Sequence, residues 1–296
     1  MRYSVWTPDG GAFGTAHRAG PENYRNALFA PERMRQRLWL FEHVALYSLL
    51  RQKPGLDPSS TRLLIFTSDQ LPQEDRAALD RLTAPHSWIK VIAVSDGHDM
   101  RERLPVIIAD TLSRRFPDQT AVPYATLRLD DDDALAHDFL GRVRRLTGAP
   151  YAGMCLSFGR GYSAWVDETG QFTRFRELVF PNIALGLAYI GLFDTIQGTF
   201  QARYRSIMSL GRHTHVHLKA PTIVACRRPC YVRTLYEGQD SHSAGKRFYH
   251  NGALVGPDQV RRRVPLSDAM LAAYDPSIET VESAAPRRGR RMAIGV

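Results

Sequence analysis

The sequence predicts an α/β fold, with a mostly parallel central sheet flanked by helices and a mixed second half. Three observations carry that prediction. Apolar runs of strand length alternate with helical segments up to residue 148. Turn residues follow each of those runs. Beyond residue 150 the alternation gives way to hairpin-like and extended segments.

The elements read in order as follows. "RYSVWTP" (2–8) is a short strand entering the Gly-rich loop "DGGAFGTAHRAGPENY". "PERMRQRLWLFEHVALYSLLRQKPG" opens on proline, sets Leu38, Phe41, Ala45 and Leu49 at helical spacing, and stops at Lys-Pro-Gly. "TRLLIFTSD" (61–69) is a continuous apolar run, as a strand buried on both faces should be. "PQEDRAALDRLTA" is a helix whose first turn is acidic, as its macrodipole favours. "WIKVIAVSD" (88–96) and "MRERLPVIIADTLSRRF" form the next strand and helix, and "YATLRLD" (124–130) and "ALAHDFLGRVRRLTG" the one after. In the second half, "YAGMCLSFGRGYSAWVDETGQFTRFREL" predicts hairpins. "PNIALGLAYIGLF" reads as an apolar loop or helix, and "HTHVHLKAPTIVACRRPCYVRTLY" as extended segments.

The totals narrow the function classes. With 296 residues, 44% of them apolar, the chain can bury a sizeable core. No apolar run reaches the roughly 18 to 20 residues of a spanning helix, and the start, "MRYSVWTPDGG", lacks the pattern of a signal peptide. A cytoplasmic location is expected. Three cysteines make no disulfide framework, and Cys226 and Cys230 form a lone C-x3-C. The formal charge of +9 gathers at Arg261, Arg262 and Arg263 and at Arg287, Arg288, Arg290 and Arg291. No nucleic-acid-binding motif accompanies it, so nucleic acid is not an expected partner. These arginines are either a solvated face or peripheral contacts with an anionic membrane, at the inner membrane face.

The most informative stretch is "YATLRLDDDDALAHDFL" (124–140), in which four aspartates follow an apolar strand. Neighbouring carboxylates at about 4 Å repel by on the order of 1 kcal/mol even in water. In open α/β sheets ligands collect at the carboxyl ends of strands, where Asp69, Asp96 and Asp130 all fall. Mg²⁺ or Mn²⁺ is held by one or two carboxylates together with substrate phosphates, which points to a metal arriving with a diphosphate. The competing reading makes Asp132 or Asp133 the cap of a helix beginning near Ala134.

"LDDDDALAHDFL" resembles the "LDxDDxLxxDFL" signature of GT-A fold glycosyltransferases, whose DxD motif binds a metal and a nucleotide-diphosphate sugar. "RLDDDDAL", "RMRQRLWLFEHVALYSLLRQ" and "LLIFTSDQLPQEDRAALDRL" resemble, more narrowly, the bacterial family of putative rhamnosyltransferases, over most of the chain to about residue 245. The resemblance implies a GT-A-like, metal-dependent transferase. Such an enzyme moves a sugar, rhamnose being the one the family name suggests, from a UDP- or dTDP-linked donor to a bacterial glycan or lipid-linked acceptor. It also implies a division of the chain: residues 1–148 as the nucleotide-sugar-binding half, 149–275 as the acceptor-side half of the same domain, and 276–296 as a basic tail.

By position the resemblance assigns Asp130 to the ribose or a metal-bound water, Asp132 to Mn²⁺ or Mg²⁺, Asp133 to the sugar side or the turn, and Asp69 to the base or ribose. Asp96 and Asp131 belong to the same nucleotide-sugar edge. The first strand, "VWTPDGG", departs from the common pattern. Arg128 either shares the charge of the leaving diphosphate or simply pairs with the acids. An inverting transfer needs a base. Asp240 is the first candidate, with Glu237 and Glu177 behind it, while His242 either joins the metal or lies on a surface loop.

His213, His215 and His217 would share one face if they lay on a strand, as a second metal site or as diphosphate or acceptor contacts. Tyr162 and Trp165 offer flat faces for a sugar, or ordinary packing. Two further readings of the acids are a nucleotidyltransferase or phosphohydrolase, and a catalytically inactive glycan-binding relative.

Overall fold

The structure is a computed structural model that describes residues 1–7, 21–237, 239, 252–272 and 274–275. Strands β1 (Arg2–Tyr3), β2 (Leu63–Ser68) and β3 (Ile89–Val94) form an all-parallel sheet in the order β1-β2-β3. The β2–β3 register runs from Leu63↔Ile89 to Ser68↔Val94, so both strands end at one edge.

Helix α1 (Pro21–Leu28) precedes α2, which begins at Pro31–Leu40 and continues through a π-helical stretch, Phe41–Leu46, into a last turn, Tyr47–Leu50. Proline at the first position needs no helical partner for its nitrogen. Leu40, Phe41, Val44 and Ala45 are fully buried, each larger side chain contributing about 1.5–3 kcal/mol. Helices α3 (Gln73–Thr83) and α4 (Gly97–Arg115) follow β2 and β3. The start of α4 is set by Asp96, whose Oδ1 accepts from the backbone N–H groups of His98 (2.7 Å) and Asp99 (2.8 Å). Pro105 lies inside α4, and Met100, Leu104, Ile108 and Leu112 form its buried stripe.

The parallel pattern stops after three strands. Strand β4 (Val122–Leu127) runs antiparallel to β9 (Ala188–Asp194), with Val122 opposite Phe193 and Leu127 opposite Ala188. The stretch expected to be an apolar loop or helix is thus in part a strand, β9. It is buried on both faces at nearly every position, so it shows no alternation, and an unbroken apolar run cannot by itself be told from a helix.

The helix expected from Ala134 also begins later. Ala134–Leu135 is a short strand, β5, and α5 is Phe139–Leu146 with Asp138 at its N-cap position. The second sheet holds β4, β9, β6 (Cys155–Ser157), β10 (Thr199–Phe200) and β11 (Thr222–Val224). In the third, β5, β12 (Tyr231–Leu235), β7 (Arg160–Val166) and β8 (Phe172–Val179) lie in the order β5-β12-β7-β8. The expected hairpin is the β7–β8 pair. The histidine segment is not extended: His213–Leu218 is a 3₁₀ turn, so the three histidines do not share a strand face.

These pairings position the acids. Strand β4 belongs to the second sheet and β5 to the third, and the chain crosses between them through Leu129–Asp133. Strands β9 and β12, from after residue 150, pair with β4 and β5 from before it.

Candidate functional site

The acid run divides by burial. Asp130 is exposed, whereas Asp131, Asp132 and Asp133 are buried. A buried carboxylate needs partners, and each of the three has one. Arg37 of α2 forks onto Asp131, Nε donating to Oδ2 at 2.9 Å and Nη2 to Oδ1 at 2.5 Å. Gln239 Nε2 donates to Asp132 Oδ2 at 2.9 Å and to the Thr234 carbonyl at 3.1 Å. The Thr234 backbone N–H donates to Asp133 Oδ1 at 2.8 Å. The crossing between sheets is therefore fastened from α2 on one side and from β12 and the residues after it on the other. The helix-capping reading of Asp132 and Asp133 fails, because the helix starts at Phe139.

Electrostatics sets Asp132 apart. Burial, with Asp131 and Asp130 beside it, raises its pKa to about 7. Burial, Asp132 and Asp130 push Asp133 well above the usual carboxylate range. Arg37 is held charged: burial works against its guanidinium, and Asp131 more than compensates. Burial and the neighbouring acids thus favour the protonated forms of Asp132 and Asp133.

The residues present fit a divalent cation. Asp132 and Asp130 would supply carboxylate oxygens, and Gln239 Oε1 is buried with no hydrogen-bond partner among the described residues. Oxygen donors of this kind suit Mg²⁺ or Mn²⁺. No group of three His, Cys, Asp or Glu side chains converges on one point among the described residues. A protein-only cage is therefore not what this edge provides, and the remaining positions would fall to water and substrate phosphate.

Two surroundings flank the framework that holds the acids. On the Asp130 side lies His213, within electrostatic reach of Asp130, Arg128 and Arg233. Arg128 donates to the Gly211 carbonyl at 3.5 Å, and Asp130 is the acid within electrostatic reach of it. Burial lowers the Arg128 pKa, with Asp130 opposing. His213 Nδ1 lies 2.7 Å from the Asn182 carbonyl. Since a carbonyl only accepts, Nδ1 carries the hydrogen and Nε2 is left as the other functional atom. Burial lowers the His213 pKa as well, with Arg128 and Arg233 adding to the effect.

On the other side, a cavity of about 850 Å³ opens between α2 and the β7–β8 turn. Trp39, Trp165, Glu168 and Glu237 are among the residues lining it. The cavity shares its framework with the acids. Trp39 and Arg37 lie on the same helix, and Glu237 is two residues from the Gln239 that holds Asp132. Trp39 is fixed, its indole N–H donating to the Gly170 carbonyl at 3.0 Å and its ring lying 3.8 Å from His43.

The residues singled out from the sequence are distributed as follows. Asp130, Asp131, Asp132 and Asp133 stay together with Arg128 nearby. Asp69 and Asp96 end β2 and β3; Asp69 is exposed, and its backbone N–H donates to the Val94 carbonyl at 2.9 Å. The Asp96 carboxylate is engaged in capping α4. Glu177 is paired with Arg160 at 3.1 Å on the β7–β8 hairpin. Glu237 is exposed and lines the cavity, while Asp240 and His242 lie outside the described residues. Tyr162 is buried in the core, and Trp165 alone of that pair reaches the cavity.

Of the arginine cluster, Arg261 pairs with Asp268 and Arg263 with Asp138; the basic tail, with Arg287 to Arg291, lies outside the described residues. Arg37, Trp39 and Gln239 were missed. Nothing in the sequence sets Arg37 apart, since the same helix also carries Arg33 and Arg35.

Among known proteins, a family model described as "Putative rhamnosyl transferase" matches residues 1–247. No curated protein matches the chain. No helix among the described residues is long and apolar enough to cross a membrane.

Proposed function

The chain belongs to the putative rhamnosyl transferase family, and from that premise we propose that it is a metal-dependent, inverting glycosyltransferase of GT-A type. A glycosyltransferase family implies a nucleotide-sugar donor and a glycan acceptor. The finer reading is a UDP- or dTDP-linked sugar, rhamnose by the family name, held at Asp130 and Asp132. One observation supports it above the others: Asp132 is buried beside further acids at the junction of two sheets, next to the exposed Asp130.

Asp132 and Asp130 would hold Mn²⁺ or Mg²⁺, with Gln239 Oε1 as the adjoining oxygen. Such an ion supplies Lewis-acid neutralisation of the diphosphate. Arg128 and Arg233 would face the negative charge that gathers on the leaving diphosphate, and fixed cationic groups there favour its departure; His213, whose Nδ1 hydrogen is engaged by the Asn182 carbonyl, would offer an Nε2 acceptor instead. The bond between sugar C1 and the diphosphate oxygen breaks as the acceptor hydroxyl oxygen bonds to C1 from the opposite face.

The hydroxyl proton passes to a carboxylate. We take Glu237, on the cavity wall two residues from Gln239, for that role, in preference to Glu177, which is paired with Arg160; Asp240 is a candidate from the sequence alone. Arg37 positions the site by holding Asp131, which keeps the acid run drawn towards α2. The two halves are read as one domain, since strands from each pair with the other.

The test is a thermal-shift screen of UDP-, dTDP- and GDP-sugars with and without Mn²⁺, on wild type and Asp132→Asn. Ligand at about 100 times its Kd adds roughly 2.7 kcal/mol of stability. A metal-dependent shift for one nucleotide, absent in the variant, supports the reading. An equal shift in the variant, or in metal-free buffer, would sink it.

A further inference from the structure

The cavity between α2 and the β7–β8 turn has a charge opposite to that of the protein around it. The chain carries a formal +9, yet Asp167, Glu168 and Glu237 line the cavity, and Arg35, the cation among its lining residues, is already paired with Glu32. A surface that is basic overall and acidic in one cleft focuses its field there.

The walls are aromatic and held in place. Trp39 is clamped between His43 and the Gly170 carbonyl. Gly170 has φ +81°, where a side chain is strained, and a Cβ there would sit 3.2 Å from the Trp39 ring, so the indole would have to give way by a few tenths of an ångström. Trp165 stands at the register shift between Trp165 and Val166 on β7; a bulge of this kind re-aims a side chain and is common beside active sites. The turn itself is tied by Asp167 Oδ1, which accepts from the Thr169 N–H and hydroxyl and from the Gln171 N–H.

We propose that this cavity is the acceptor subsite and that it selects uncharged saccharides, rejecting those that carry uronate or phosphate groups. Sugar rings present apolar C–H faces to the two indoles, and their hydroxyl groups donate to the carboxylates of Glu168 and Glu237. An anionic substituent would meet carboxylates and no unpaired cation among the described lining residues. The volume of about 850 Å³ lies towards the upper end of the roughly 300–1,000 Å³ of small-molecule sites, which suits an acceptor of more than one ring. A hydroxyl held on this wall lies on the side of Glu237. The inference rests on the glycosyl-transfer reading above and adds to it where the acceptor binds and which acceptors are refused.

The experiment uses the full chain on a glycan array of uncharged di- and trisaccharides printed beside uronate- and phosphate-bearing counterparts. Wild type, Trp165→Ala and Glu168→Lys are compared. Wild type should retain uncharged glycans only. Trp165→Ala should weaken that retention at least about tenfold. Glu168→Lys, at an exposed turn position, should preserve the fold and admit anionic glycans that wild type refuses.

Retention of mainly anionic glycans by wild type overturns the proposal, as do an unchanged pattern in both variants and binding of no glycan at all. The donor thermal shift on the same samples separates the two readings. Its persistence alongside a failed array rejects the acceptor subsite alone, and its absence in wild type alongside glycan retention rejects the donor reading alone.

Discussion

The two sides of the acid run are built from opposite chemistry. Towards Asp130 the neighbours are Arg128, Arg233 and His213, a setting for phosphate. Towards α2 a cavity is lined by two tryptophans and four carboxylates, one of them paired with Arg35, the setting proposed above for an uncharged polyol. Between them Asp131 is neutralised by Arg37, so one ion pair separates a basic surface from an acidic one. A transferase must hold a charged leaving group and a neutral nucleophile within bonding distance of one carbon. The four adjacent carboxylates are not equivalent: one is exposed, and of the three buried ones Asp131 is ion-paired while Asp132 and Asp133 are held by neutral hydrogen-bond donors.

The most disruptive way to break that contrast is to remove the divider. Arg37→Met leaves Asp131 buried without its partner and should cost about 3–5 kcal/mol of stability, read by chemical denaturation. Arg37→Met combined with Asp131→Leu should recover most of that loss; a double variant as unstable as the single would show that Arg37 acts by packing instead.

Asp132→Asn follows. Activity should fall by about 10²–10³-fold, as when one stabilising group is lost from a transition state, measured by release of nucleoside diphosphate. The same variant should be more stable than wild type in cation-free buffer at pH 8. The folded-state pKa of Asp132, about 7, lies above the ordinary 3.8, so the folded protein binds that proton more tightly than the unfolded chain. Wild type therefore loses stability as pH rises from about 4 to about 7, and asparagine escapes the loss. A gain of about 1 kcal/mol or more at pH 8 that disappears by pH 4 is expected; a gain of the same size at both would point to a cause other than ionisation.

Glu237→Gln sharpens the cavity side. Turnover should drop about 10²-fold with the donor shift intact, and an unaffected kcat would pass the base role to another carboxylate. The smallest effect is expected from Gly170→Ala. It places a side chain at positive φ against Trp39, costing about 1–2 kcal/mol. Displacing the indole should raise the acceptor KM while leaving the donor KM unchanged.

Legibility from the sequence followed the range of the interactions. The first three strands were readable because turns and helical spacing bracket each apolar run, and the acid run was readable as four letters. Strand β9 was not, since burial on both faces erases the alternation that marks a strand. The helix after the acids was placed too early, because aspartate is favoured both at helix starts and at ligand edges, and sequence alone does not separate the two. The three histidines looked like a strand face and fold as a 3₁₀ turn, a local choice made by the packing around Val216, which is buried while its neighbours are not.

The sequence by itself determined the α/β units, the position of the aspartates after an apolar strand, and the resemblance to the family whose model the chain matches. Tertiary structure decided what each aspartate is. Arg37 meets Asp131 across 94 residues, and Gln239 meets Asp132 across 107. Trp39 and Gly170 close the cavity wall across 131. Identical side chains in one run acquire different charges and partners because burial and neighbouring fields, not residue type, set the free energy of a carboxylate. Those fields exist only once the two sheets have met at Leu129–Asp133.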